Sequence, residues 1–123
     1  MTTQKPYLSR AYAVLACLLA ALAVLHMATT FRLTAAGPAA KVWFFSAGLA
    51  MAQTAAFNLL HRQYGRSVPA LGWVTRGSNA LLLAISVAGG LATGASLVEL
   101  IAVLGALAAI LVFSFIDSAC QPH

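Results

Sequence analysis

Charge is what this chain has least of. Only 7% of its 123 residues are charged, where a soluble domain carries about a quarter. Acid is scarcest: Glu99 and Asp117 stand alone against seven Lys and Arg, leaving a net charge of +5. Such a composition argues against a soluble globular domain, a disordered tail and a nucleic-acid-binding module wrapped in basic residues. Cysteine is nearly missing too. Cys17 falls in an apolar run and Cys120 near the end of the chain, so no disulfide framework is expected. The sequence shows no internal repeat, no glycine-rich phosphate loop and no nucleophile–base pair. No segment between its apolar runs is long enough for a further domain.

What is present is apolar. Hydrophobic residues make up 62% of the chain, and removing the charged positions leaves four uncharged windows at 11–31, 42–61, 77–98 and 100–116. A helix crossing a hydrocarbon core of about 30 Å needs about 20 apolar residues at 1.5 Å each, and all four windows are near that length. Transmembrane barrel strands would alternate polar and apolar residues; these windows are apolar all round. The expected fold is therefore an all-α integral membrane protein, a four-transmembrane-helix up-down bundle forming a single domain over 1–123. Its helices are expected at about 10–31, 38–64, 76–93 and 97–117.

Local chemistry supports the breaks. Gly37-Pro38 opens the second helix, since the missing proline N–H would be unpaired at a first helical position anyway. Gly65 is expected in the left-handed conformation that ends that helix, with Pro69 blocking its resumption. Gly94-Ala95-Ser96 reads as a tight hairpin, and Ser96-Leu97-Val98-Glu99 as a capping box opening the fourth helix. Ala21-Leu22-Ala23 has the small-x-small pattern of a signal cleavage site, but the apolar run continues to Phe31, so the first span is expected to remain.

Basic residues set the expected orientation. Lys5, Arg10, Arg62, Arg66 and Arg76 fall on one side of a four-span chain, Arg32 and Lys41 on the other. The positive-inside rule places both termini in the cytoplasm; the Ala-rich composition suits a high-GC bacterium, and the expected location is a bacterial inner membrane. Attraction to anionic lipid headgroups accounts for the basic balance, so the bilayer is the expected partner and no nucleic acid is needed.

Membrane helices associate by close packing and hydrogen bonds, and each span offers a seam at 3/4 spacing. These are Ala16, Leu19, Ala23, His26 and Thr30; Ala47, Met51, Thr54, Asn58 and His61; Asn79, Leu83, Ser86, Gly90 and Thr93; and Glu99, Val103, Ala106, Ile110, Phe113 and Asp117. Orientation sorts the polar groups into two layers. The outer layer holds His26, Thr30, Arg32, Lys41, Trp43 and Glu99; the inner holds Asn58, His61, Arg62, Arg76, Asn79 and Asp117. Gln53 lies between them.

The outer layer is the expected ligand site, with His26, Trp43 and Glu99 as its candidates; a His–Glu pair can relay protons or grip a polar headgroup. The inner layer, with Gln53, is expected to be structural. Asn58 and Asn79 would hydrogen-bond across adjacent helices, and Asp117, opposing a helix dipole, would need Arg76 or Arg62 beside it. No residue is assigned a catalytic role, and two ligands at one depth do not make a zinc site. His26 and His61 lie roughly 20 Å apart along the membrane normal at 1.5 Å per residue, too far to share one haem iron. No cofactor follows from the residues.

The favoured expectation is a non-catalytic accessory subunit, working beside other membrane subunits or as a homo-oligomer, or a binder of a lipid or quinone-like molecule. The first alternative is a membrane enzyme acting on a lipid-like substrate at the outer leaflet through His26 and Glu99. In size and span number the chain resembles the small multidrug-resistance transporters. That family carries an essential acid mid-membrane in its first helix, and 11–31 contains none. A small oligomeric transporter is the second alternative.

Overall fold

The computed structural model describes residues 6–33, 35, 37–94 and 96–120, with the backbone alone at Thr93, Glu99 and Ser118. Among these the chain is all-helical, without a strand: α1 Pro6–Thr30, α2 Pro38–Tyr64, α3 Pro69–Thr93 and α4 Leu97–Phe113, then a 3-10 turn at Asp117–Ala119. Two stretches, Pro6–Thr30 and Pro69–Ala92, are long and apolar enough to cross a membrane.

Proline starts helices here. Pro38 follows an extended Gly37 at the head of α2, and Pro69 opens α3. The expected loop up to residue 75 is therefore mostly helix. A proline that cannot continue one helix suits the first turn of the next, where its absent N–H is no loss. The turn left between α2 and α3 is short, closed by Ser67 and Val68 N–H groups donating to the Tyr64 carbonyl at 3.0 and 2.9 Å. Gly65 is not left-handed as expected; at φ −59° and ψ −25° it continues the right-handed spiral, and its N–H bonds the His61 carbonyl. Gly94 does take the left-handed conformation, φ 66°, and ends α3.

Cross-helix contacts fix an antiparallel bundle. Ser9 meets Arg62 and His26 meets Phe44 between α1 and α2. Asn58 meets Asn79 between α2 and α3, Arg76 meets Ser114 between α3 and the end of α4, and Tyr12 stacks on Phe113 between α1 and α4. The start of α1, the end of α2, the start of α3 and the end of α4 thus gather at one end, here the basal end, and the 3-10 turn touches α1 there.

Packing is closest between α1 and α2. A Cβ added to Gly48 would lie 2.6 Å from Met27 Cγ and 3.2 Å from both the Ala23 carbonyl oxygen and the Met27 nitrogen. Small residues let backbones approach in this way. The expected counterpart, Gly105 in α4, has nothing within 4 Å; it lies on an open face because the buried stripe of α4 runs through Leu107, Ile110 and on to Ser114. Gln53, expected inside, is exposed on α2, one step round from the buried Thr54 and Ala55.

Polar residues are buried and large apolar ones exposed to an unusual degree. Ser9, Thr30, Thr54, Asn58, His61, Thr75, Asn79 and Ser114 are all buried, while Phe31, Trp43, Leu91, Leu97 and Val98 are each more than 70% exposed. These polar side chains share the interior with an apolar core that includes Ala16, Leu19, Leu82, Leu107 and Ile110, while many large apolar side chains lie on the outside.

Candidate functional site

The buried polar groups converge at the basal end. Tyr12, entirely buried, is the hub. Its hydroxyl donates to Asn58 Oδ1 at 2.8 Å and lies 3.0 Å from His61 Nδ1. Asn58 Nδ2 donates to the Thr54 carbonyl at 2.8 Å and to Asn79 Oδ1 at 2.7 Å, and Asn79 Nδ2 returns a bond to Asn58 Oδ1 at 3.0 Å. The Asn58 amide thus uses two N–H donors and two acceptor positions, its full capacity. Among the described residues no buried side-chain polar atom lacks a partner, as a polar cluster away from water requires.

Further bonds tie the helix ends to this cluster. Thr75 Oγ1 lies 2.8 Å from the Leu71 carbonyl and 3.2 Å from that of Phe57. Arg62 Nε donates to the Ser9 carbonyl at 2.8 Å and to its hydroxyl at 3.0 Å. Arg76 Nε donates to the Ser114 carbonyl at 3.0 Å, and its guanidinium lies 4.7 Å from the Phe115 ring centre. A cation here suits the carbonyl end of α4, whose last carbonyls have no partner within the helix. With Arg62 and Arg76 committed in this way, Asp117 has neither of its expected partners and is exposed.

Beside the network lies an open cleft of about 410 Å³. The first turns of α3 supply Pro69, Gly72, Trp73 and Arg76; the end of α2 supplies His61, Gly65 and Arg66; Asp117 and Cys120 close it from the tail. Gly65 needs no special backbone freedom at its φ and ψ. It is glycine for want of room: a Cβ there would overlap the His61 carbonyl oxygen and lie 2.6 Å from the ring's Cδ2. Cys120 is buried rather than loose in a tail, its Sγ 4.0 Å from His61 Nδ1. Burial pushes its thiol above the ordinary range, helped by the Asp117 carboxylate, while Arg66 and Arg76 act the other way.

The residues of the expected outer site belong to the other end of the bundle, at the end of α1 and the starts of α2 and α4. His26 stacks on Phe44, ring centres 3.7 Å apart, and Trp43 is 75% exposed. The Glu99 side chain lies outside the described residues. Of the residues expected to be structural, Asn58, Asn79 and Arg76 come together at the basal end, whereas Gln53 stands apart. Sequence reasoning misses Tyr12, whose type suits a membrane interface, and Thr75, Gly72 and Trp73, which fall in the expected loop. Extending the α1 seam two steps back, from Ala16 to Tyr12 and Ser9, keeps the 3/4 spacing and finds the hub. Among the described residues no three His, Cys, Asp or Glu side chains are grouped to hold a metal.

No family model matches the chain, and neither a curated protein nor a solved structure is similar to it. The geometry of the site is therefore the only guide to its role.

Proposed function

We propose that the chain is an integral membrane protein of four spans, in a bacterial inner membrane, with both termini and the basal end on the cytoplasmic side. We further propose that it binds an amphipathic, lipid-like molecule at the basal cleft without transforming it. The exposed apolar surface supports the first part: Phe31, Trp43, Leu91, Leu97 and Val98 suit hydrocarbon and its interface better than water. The positive-inside bias supports the orientation, with Arg62, Arg66 and Arg76 at the basal end.

The observation that carries the binding reading is the cleft itself. It joins polar and cationic groups, His61, Arg66 and Arg76, to the indole of Trp73, which is 73% exposed. An indole beside cations at a helix start is the pairing that suits a headgroup with an apolar tail. Exposed Gln53, mid-way along α2, supports a second reading, a contact with another subunit, because a lone amide facing lipid is unfavourable.

Native mass spectrometry of the protein gently released from its own membrane tests the choice. A retained adduct of lipid mass, lost in Arg76→Ala, is the expected result. A stoichiometric protein partner would favour the accessory role, and a bare monomer would contradict both.

A further inference from the structure

One polar side chain on the outside of the bundle differs from its neighbours. Gln53 lies near the middle of α2, Pro38–Tyr64, on an exposed side of the helix. At 1.5 Å per residue it is roughly 16 Å from the nearer helix end, too far for a three-carbon side chain to bring its amide to an interface. No hydrogen bond reaches that amide among the described residues. Ser46, two turns away on the same face, is exposed too, but its hydroxyl donates to the Val42 carbonyl at 2.8 Å. The serine is satisfied by its own helix and the glutamine is not. An amide left facing hydrocarbon without a partner is unfavourable.

The group is self-complementary. An amide carries two N–H donors and an oxygen with two acceptor positions. Two amides related by a two-fold axis therefore bond reciprocally, each Nε2 donating to the other's Oε1. The bundle already contains one reciprocal amide pair, between α2 and α3: Asn58 Nδ2 donates to Asn79 Oδ1 at 2.7 Å, and Asn79 Nδ2 to Asn58 Oδ1 at 3.0 Å. Copies of the chain share one positive-inside bias and enter the membrane the same way up. A two-fold axis along the membrane normal then sets Gln53 of each copy at the same depth. Any other protein would have to supply a matching polar group at that depth, whereas a second copy does so by construction. The face also has room. Ala50 and Ala56, both exposed, stand about one turn to either side of Gln53, and small side chains let a second helix come close. Leu49 and Leu60, 56% and 44% exposed, add apolar area beyond them.

We propose that this face of α2 is covered by a second copy of the chain, in a parallel two-fold dimer with the two Gln53 amides paired at its centre. The proposal names the partner in the subunit-contact reading, and it rests on the reading that α2 crosses the membrane.

The test uses the full chain in phosphatidylcholine vesicles over a series of protein-to-lipid ratios. Pools labelled with donor and acceptor dyes at the N-terminal amine are mixed and energy transfer is read. Transfer should rise with the ratio as a monomer–dimer equilibrium requires. Gln53→Leu should weaken association about tenfold, the worth of two interhelical hydrogen bonds, and Gln53→Asn, which keeps an amide, should weaken it less. Both variants should keep the wild-type helical circular dichroism, because the side chain supports nothing within one copy. Equal transfer in the wild type and Gln53→Leu would overturn the dimer through this face. No transfer at any ratio would give the face to lipid or to a different protein and overturn the second copy. The membrane reading is checked separately by Gln53→Cys in a chain also carrying Cys17→Ala and Cys120→Ala. That thiol should resist a water-soluble maleimide in intact vesicles and react once the protein is unfolded in detergent. Reaction in intact vesicles would overturn the place of α2 in the membrane, and the dimer with it. Protection without energy transfer would overturn the dimer alone.

Discussion

Removing one oxygen, by Tyr12→Phe, takes the hub out of the network while leaving its shape. The ring keeps its stacking on Phe113, 6.0 Å between centres, and no cavity is created. Asn58 Oδ1 retains the Asn79 donor at 3.0 Å, so that end stays bonded. With the Tyr12 proton given to Asn58, His61 Nδ1 is the donor toward the Tyr12 oxygen; that N–H loses its acceptor, and Cys120 Sγ at 4.0 Å is a poor substitute. A buried donor stripped of its partner costs about 1–3 kcal/mol, and hydrogen bonds between membrane helices average about 0.6 and reach about 1.7 kcal/mol. The expected loss is thus about 1–2 kcal/mol, read by reversible unfolding in mixed micelles. The same variant frees the imidazole to move its proton to Nε2, so the His61 15N pattern should change from Nδ1-protonated toward a mixture. An unchanged midpoint together with an unchanged 15N pattern would refute the order of donors and acceptors around Tyr12.

Gly48→Ala should destabilise the protein by about 1–2 kcal/mol, since the Ala23 carbonyl and Met27 nitrogen cannot yield as a side chain can. Gly105→Ala, into open space, should be neutral or stabilise by up to about 1 kcal/mol; paired melting curves check both. Stability should fall as pH rises past the usual thiol value of 9.0, because the buried Cys120 resists becoming a thiolate that the unfolded chain forms freely. Cys120→Ala should flatten that alkaline limb in a pH series of unfolding midpoints. Gln53→Leu should turn an oligomer into a monomer on a sizing column in detergent if the exposed amide meets a second subunit, and leave the elution unchanged if it faces lipid.

How much of the structure is legible in the chain differs by feature. Helix number and the hairpin at Gly94 follow from charge-free windows and one glycine, because both are local. The Asn58–Asn79 pair is legible too, since equal depth on sequential antiparallel helices brings two amides together. The start of α3 is not. Pro69 stops one helix and opens another, and it is the helical backbone of α3 from Pro69 onward that shows the second reading prevails. Tyr12 is hidden by its type, as tyrosine suits a membrane interface as well as a buried bond. In the sequence His61 differs from His26 only by depth, while its role depends on a tautomer set through Tyr12 and on the room left by Gly65 and Gly72. Such features belong to three-dimensional packing and leave no periodic mark.

The cleft can meet a cytoplasmic ligand only if the basal end faces the cytoplasm across four spans. Alkaline phosphatase, active only outside the cytoplasm, fused in turn after residues 35, 67, 95 and 123 tests that most directly. Activity should be high at 35 and 95 and absent at 67 and 123. High activity at 67 or 123, or none at 35 and 95, would contradict the four-span arrangement and the cytoplasmic cleft with it.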